Sequence, residues 1–439
     1  MTLAPEKPSG AKVGVSVKRR VLQATFLVVL GLLLWLAWCL KGPDAIAVKP
    51  APALPPGFIW GVSSSAFQSE GGVLDSDWSR HNATDKTQDR YGTSVDFRHR
   101  YRQDIALAHD LGLNTYRIGI NWARVEPRPG QIDPVEMAYY DDVILALKQA
   151  GIAPLITLDH FDYPGWVTDQ GGWTNPKTTK DFVNYAGLIA KRYHQDVHLW
   201  ITFNEAFADM SIQKSLHKLN GKQADQVRDN IVAAHRRTYD VIHQLDPHAI
   251  VTSNIAWLGD RFGSRTMNGI SDRAFLDRVA DKCDVIAIDY YGADLIKGVK
   301  ALAAKANWLW PPEPAGLYRA LKIIQAKYPD KPILIAETGM STENGLPRAD
   351  GEKREEVLRD SVYWTQRARA DGVNVIGYMV WSLTDNFEWG TYAPRFGLYT
   401  VNVLKDPTLQ RIPTAAAAAY KDIIRNNGVG PGYRPVIAQ

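Results

Sequence analysis

Apolar residues in this chain gather in short runs. Between the runs lie longer stretches in which apolar positions recur every three or four residues. The runs FIWGVSSSAF, TYRIGINW, APLITLDH, VHLWITFNE, AIVTSNIAW, DVIAIDYY, PILIAET and NVIGYMVWSL are rich in β-branched and aromatic residues. Such near-continuous apolar runs suit strands buried on both faces, as in a parallel sheet. Helical patterns separate them at 97–111, 135–150, 177–193, 224–245, 313–327 and 352–370, and a last one at 414–425 closes the series. Gly112, Asn114, Gly151 and Gly372 stand where helices end in a left-handed residue. This alternation predicts an α/β fold, a single (β/α)8 barrel, over residues 58–428. An open doubly wound sheet is the rival, but no glycine-rich phosphate loop follows the first run.

The N-terminal part breaks this rhythm. Residues 21–40 form an almost unbroken apolar run, long enough as a helix to cross a hydrocarbon core of about 30 Å. Lys12, Lys18, Arg19 and Arg20 precede it, and few cations follow. The expectation is a basic cytoplasmic segment at 1–20 and a transmembrane signal anchor at 21–40. A proline-rich linker at 41–57 then leads to a barrel on the periplasmic or extracellular side. A secreted protein is the alternative, with cleavage after Ala45-Ile46-Ala47, although the apolar run is long for a signal peptide. Residues 429–439 read as a flexible tail.

Composition narrows the field. The 439 residues are 45% hydrophobic, enough for a large core, and α/β barrels of this size form one domain. A net charge of +4 leaves no nucleic-acid footprint. Two cysteines, Cys39 and Cys283, exclude a cysteine-based metal site. The 14 Trp and 19 Tyr suit a site that binds sugar faces, though aromatics also fill cores.

Chemistry concentrates where the strands end, the rim on which barrels carry their active sites. Glu205 ends VHLWITFNE and Glu337 ends PILIAE. Two carboxyl groups facing each other across a cleft are the minimum apparatus for breaking a glycosidic bond. Around them the strand ends supply Gln68, Arg117, Asn121, Trp122, His160, Asp162, Asn204, Asp289, Tyr290, Tyr291 and Trp381, with Glu388 and Trp389 on the loop that follows. Each residue alone has a structural explanation: a core histidine, a packed tryptophan, an arginine neutralising a buried carboxylate. Together they form a set of donors and acceptors suited to sugar hydroxyls.

FIWGVSSSAFQSE, YRIGINWARVEP, TFNE, DVIAIDYY and WSLTDNFEWGTYAPRFGL resemble, in order and spacing, the signatures of family 1 glycoside hydrolases, the β-glucosidase and β-galactosidase family. FQSEGGVLDSDW is most similar to its archaeal branch. The resemblance implies a retaining, double-displacement β-glycosidase with Glu205 as acid/base and Glu337 as nucleophile. It implies that Gln68, His160, Asn204, Glu388 and Trp389 bind the non-reducing sugar, with Tyr290 beside them. Trp381 is then the stacking platform, and Arg117 and Tyr290 orient the nucleophile. No metal or organic cofactor is implied. The partners expected are a β-glycoside, oligosaccharide or glycolipid substrate, and the membrane through residues 21–40. The chain departs from the pattern at Ala206, Phe161, Asp289 and Thr338, and the stretch 207–229 is short. A membrane-anchored transglycosylase working on glycolipid or envelope glycan is the runner-up. A catalytically inactive carbohydrate-binding protein is the alternative of another class.

Overall fold

The computed structural model describes residues 19–27, 29–31, 44–72, 74–259, 262–292 and 309–437. Its centre is a parallel sheet closed on itself. The strands are β1 (Ile59–Ser63), β2 (Thr115–Gly119), β3 (Ala153–Asp159), β4 (Leu199–Phe203), β5 (Ile250–Thr252), β6 (Asn254–Ala256), β7 (Ile286–Tyr290), β8 (Ile333–Thr338) and, after the short β9 (Thr342–Glu343), β10 (Val375–Trp381). Their order is β5-β4-β3-β2-β1-β10-β8-β7-β6. β5 and β6 are two halves of one strand interrupted at Ser253: the first half pairs with β4 and the second with β7. The ring is therefore an eight-stranded barrel, as the alternating pattern predicts.

Side chains alternate across each strand. Leu155, Ile201, Val285, Ala287, Leu334, Ala336 and Met379 point inward and form their own cluster, a plug in the barrel's interior. Trp60, Val62, Tyr116, Ile118, Ile286, Ile288, Ile333, Ile335 and Tyr378 point outward into the main core beneath the helices. Gly61 makes room for the plug, since a Cβ there would stand 2.7 Å from Met379 Cε. The helices run at Phe97–Leu111, Pro134–Gln149, Pro176–Tyr193, Gly221–Leu245, Pro314–Lys327, Arg354–Ala370 and Ala415–Arg425, within a few residues of the expected stretches. Asp133 and Asn175 cap two of them, each ahead of a proline in the first turn.

Four expectations change. Gly112, Gly151 and Gly372 do take positive φ, but Asn114 does not. Its amide accepts from the Trp60 N–H at 2.9 Å and donates to the Phe58 carbonyl at 2.9 Å, pinning the start of β1. The proline-rich run is not a free spacer from Lys49 onward. Ala51 and Leu54 are buried, Tyr363 bonds both polar backbone groups of Lys49, and Gln366 Nε2 donates to the Pro52 carbonyl. The C-terminal residues, expected to be loose, are held by the buried Asp360 carboxylate. It accepts from the backbone N–H groups of Val436 and Ile437 and from the Tyr433 hydroxyl.

The expectation of a membrane-anchored, outward-facing barrel does not hold. Among the described residues no helix is long and apolar enough to cross a membrane. Within 21–40, residues 21–27 and 29–31 are helical, and the rest of that stretch lies outside the described residues.

Asp360 generates a test. Asp360→Ala removes the acceptor for two backbone N–H groups. It is expected to cost about 1–3 kcal/mol of stability and to open residues 429–437 to proteolysis. Thermal unfolding with mass mapping of early cleavage sites checks this; an unchanged midpoint and an intact tail would contradict it.

Candidate active site

The C-terminal ends of the strands surround a cavity of about 550 Å³. Gln68, His160, Asn204, Glu205, Glu337, Trp381, Glu388 and Trp389 all line it, so the structure brings these expected residues together. Ala256, Leu258, Trp310, Met340, Pro394 and Phe396 add an apolar part to its lining.

Beneath the cavity lies Arg117, fully buried on the inner face of β2. Its Nε donates to Thr157 Oγ1 at 2.7 Å, Nη1 to Glu337 Oε1 at 2.6 Å, and Nη2 to Asn204 Oδ1 at 2.6 Å. A charged group with no exposed surface persists only when paired and hydrogen-bonded. The fork geometry of the guanidinium fixes three strands' polar ends at once.

Strict alternation along β8 would turn Glu337 away from the cavity, because Leu334 and Ala336 already point inward. A bulge corrects this. Ile288 pairs with Ile335, and the next residue of β7, Asp289, pairs with Glu337. The extra residue, Ala336, leaves its carbonyl to the Ser63 hydroxyl, which donates to it at 2.6 Å. Bulges next to active sites re-aim side chains in this way.

Tyr290, expected to orient Glu337, lies elsewhere. It points outward, and its hydroxyl donates to the Glu313 carbonyl at 2.9 Å. Tyr291 does the expected work, donating to Glu337 Oε2 at 2.6 Å. The reason is parity: Val285, Ala287 and Asp289 share the inner face, and Tyr291 continues it. That alternation was available in the sequence. Asn254, which the sequence reading passed over, also joins the site. It donates to Asn204 Oδ1 at 2.7 Å and to Asp289 Oδ2. A polar cluster, Thr252-Ser253-Asn254, inside an otherwise apolar run was its signal.

Among the polar lining residues, Gln68 Nε2 donates to Asn386 Oδ1 at 3.1 Å and Glu388 Oε2 at 3.2 Å, and Trp381 Nε1 donates to Glu388 Oε1 at 3.2 Å. The His160 ring stacks near Trp381 and Trp389, with centroids 5.7 and 6.0 Å away. Phe161, Glu205 and Trp389 hold positive φ of 66°, 41° and 49°. Non-glycine residues rarely adopt that region, and three of them lining one cavity mark a site whose surroundings over-determine the backbone.

Electrostatics separates the carboxyl groups. Burial pushes Glu205 up from its ordinary 4.5 to about 8, helped by the Glu337 charge and opposed by Arg117. Burial also raises Glu337, but Arg117 and the Tyr291 hydroxyl pull it back. Only Glu337 has an ion pair, so it ionises first and Glu205 keeps its proton at neutral pH. Burial sends Glu388 to about 8. His160 is held well below its ordinary value by burial and by Arg117, so its ring is neutral.

Two comparisons with known proteins bear on this site, and a third on the fold. The family model described as Glycosyl hydrolase family 1 matches residues 51–259 and 286–429. β-Glucosidase A of Acetivibrio thermocellus is 27% identical, over 85% of this chain and 98% of that protein. A 6-phospho-β-galactosidase of Streptococcus mutans is 29% identical, over 84% and 98%. The fold matches that of a family 1 β-glucosidase from Thermotoga maritima, with a TM-score of 0.75, 24% identity, and coverage of 86% of this chain and 99% of that one.

Two outcomes follow from the geometry. Tyr291→Phe removes a hydrogen bond to an ionised carboxylate and is expected to lower kcat/KM by about 10- to 100-fold, whereas Tyr290→Phe stays within about 3-fold. Steady-state kinetics decides, and the reverse order would restore Tyr290 to the site. The second outcome concerns stability. Glu205 has a folded pKa above its unfolded one, so its stabilising contribution is present below about 4.5 and is lost as pH rises through about 8. Glu205→Gln cannot ionise. Its melting temperature should therefore gain on the parent's across that window, and parallel melting curves would contradict the assignment.

Proposed function

The chain belongs to glycosyl hydrolase family 1, and from that premise we propose that it is a retaining β-glycosidase acting on terminal β-linked sugars. The observation that supports this most directly is the pair Glu205 and Glu337 on one cavity, with only Glu337 supplied with a cation and a hydroxyl donor.

Membership of the family supports double displacement for this pair. In the first step the Glu205 carboxyl gives its proton to the glycosidic oxygen as the C–O bond breaks, and the aglycone leaves as an alcohol. A Glu337 oxygen bonds the anomeric carbon, trapping the positive charge that develops on the sugar. In the second step the Glu205 carboxylate takes a proton from water, and the water oxygen attacks the anomeric carbon. The bond to Glu337 breaks, the sugar leaves with its original β-configuration, and both carboxyl groups return to their starting states. Arg117 and Tyr291 hold the nucleophile's two oxygens, so little reorganisation is needed as its charge moves onto the sugar.

Gln68, His160, Asn204, Glu388 and Trp389 are the residues that read the sugar's hydroxyls, and Trp381 offers an apolar face to its C–H bonds. These residues thus receive the glycone, and the apolar lining of Leu258, Trp310 and Phe396 is left for the aglycone.

Leaving-group chemistry separates the two carboxyl groups. Glu205→Ala is expected to lose about 10²–10⁴-fold on substrates whose leaving group needs a proton. It should still form the glycosyl-enzyme from activated aryl β-glycosides, and azide should rescue turnover as a β-glycosyl azide. Glu337→Gly should show neither behaviour. NMR of the first product from the parent enzyme should show the β-anomer. An inverted product, or identical behaviour of the two variants, would refute the mechanism.

A further inference from the structure

We propose that Asp289 is a protonated, neutral carboxyl group that donates a hydrogen bond to Glu205, and so is the residue that positions the acid/base group. The proposal rests on the glycosidase reading above and adds a residue to it.

Asp289 is the last inward-facing residue of β7, 1% exposed, and sits in register with Glu337 on β8. Three carboxyl groups, Glu205, Glu337 and Asp289, therefore crowd one end of the barrel. The titratable and charged groups that face Asp289 come from three neighbouring segments and from its own strand. Arg117 is on β2, Glu205 follows β4, Glu337 is on β8, and Tyr291 follows on its own strand. Asn254, on β6, is the polar but non-titrating neighbour.

None of the neighbouring donors reaches Asp289 Oδ1. Arg117 serves Thr157, Glu337 and Asn204. The Tyr291 hydroxyl serves Glu337. The two N–H groups of Asn254 serve Asn204 and Asp289 Oδ2. Asp289 Oδ1 is left buried with no donor, and the Asp289 carboxyl is in hydrogen-bonding contact with Glu205.

Two ionised carboxylates in such contact, with no donor between them, repel each other in a medium that screens poorly. A proton must lie in the contact. Both groups are acids, so the question is which of them keeps a proton when the other has given its own away. Asp289 has almost no exposed surface, whereas Glu205 is partly open to the cavity, where water and substrate reach it. Ionisation is therefore the more costly at Asp289.

The role follows from the two chemical steps. While Glu205 is the acid, the contact fixes its orientation. When Glu205 becomes the carboxylate that must take a proton from water, the Asp289 O–H donates to it and stabilises that charge. Asp289 neither touches the sugar nor exchanges a proton with it. This arrangement is the same device by which a carboxyl group kept neutral by its surroundings serves as a donor at neutral pH.

The test compares the parent with Asp289→Asn and Asp289→Ala, using pH profiles of kcat/KM on an alkyl β-glycoside and infrared spectra of the free proteins. Asn is neutral, nearly the same shape, and can donate to Glu205 while accepting from Asn254. The proposal expects the basic limb of Asp289→Asn to stay within about half a unit of the parent's. Loss of the donor in Asp289→Ala should raise that limb by about one to two units. It should also slow breakdown of the glycosyl-enzyme. The infrared difference between the parent and Asp289→Asn at pH 7 should contain the C=O band of a protonated carboxylic acid.

A basic limb that drops by a unit or more in Asp289→Asn would mean that a negative charge had been removed, and would overturn the proposal. An Asp289→Ala profile that superimposes on the parent's would overturn it too, as would absence of the acid band. If the Ala variant does not fold, the Asn profile and the spectrum still decide. A parent that turns over no β-glycoside would instead sink the glycosidase reading, and the spectrum would still report on Asp289.

Discussion

Inside the barrel, without exposed surface, the Arg117 guanidinium spends its donors on Thr157, Asn204 and Glu337. Remove it and Glu337 is a buried carboxylate with only a tyrosine hydroxyl for company. Asn204 would lose a donor, and with it part of what fixes the end of β4, where Glu205 begins its helix. The crowding of carboxyl groups is tolerable because one of them is paired and the others keep protons. Chemistry emerges from the same arrangement: one carboxylate able to attack, one carboxylic acid able to give a proton, a fixed distance apart on a closed sheet.

Such a site works against stability. Glu205 and Glu388 are pushed to about 8 by burial, Asp162 and Asp209 to about 7. Left-handed backbone at Phe161, Glu205 and Trp389 adds strain. The structure offsets this elsewhere. The interior plug and the shell of apolar side chains under the helices are both buried. The buried pair Arg411 and Asp104 joins the first long helix to the segment before the last one, with Arg411 Nε donating at 2.8 Å. The candidate catalytic rim is thus carried by a scaffold with a large apolar core.

Much of this was legible in the sequence, for physical reasons. Short β-branched runs and amphipathic stretches follow periods that the backbone enforces, so the strand and helix order could be read directly. Glu205 and Glu337 stood out because a carboxyl group ending an apolar strand has to be accounted for. Tyr291 was displaced by Tyr290 only because parity was not carried to the strand's last residue. The bulge at Ala336 was not readable: a one-residue slip in register depends on the Ser63 hydroxyl, which is remote in the chain. Nor could local pattern show that Asp360 would hold the C-terminal residues, because their partners lie far away in sequence. The apolar run at 21–40 illustrates the opposite hazard. Hydropathy alone predicted a span there, and among the described residues no helix meets the requirement.

The central claim is that Glu337, held by Arg117 and Tyr291, is the nucleophile whose oxygen bonds the sugar. A mechanism-based 2-deoxy-2-fluoro-β-glycoside bearing an activated leaving group tests it most directly, because the fluorine slows hydrolysis of the intermediate more than its formation. Intact mass followed by peptide mapping then locates the adduct. The account predicts one glycosyl unit per chain, attached to Glu337, with loss of activity in proportion to labelling. A stable adduct on Glu205, or full inactivation without a covalent adduct, would contradict it.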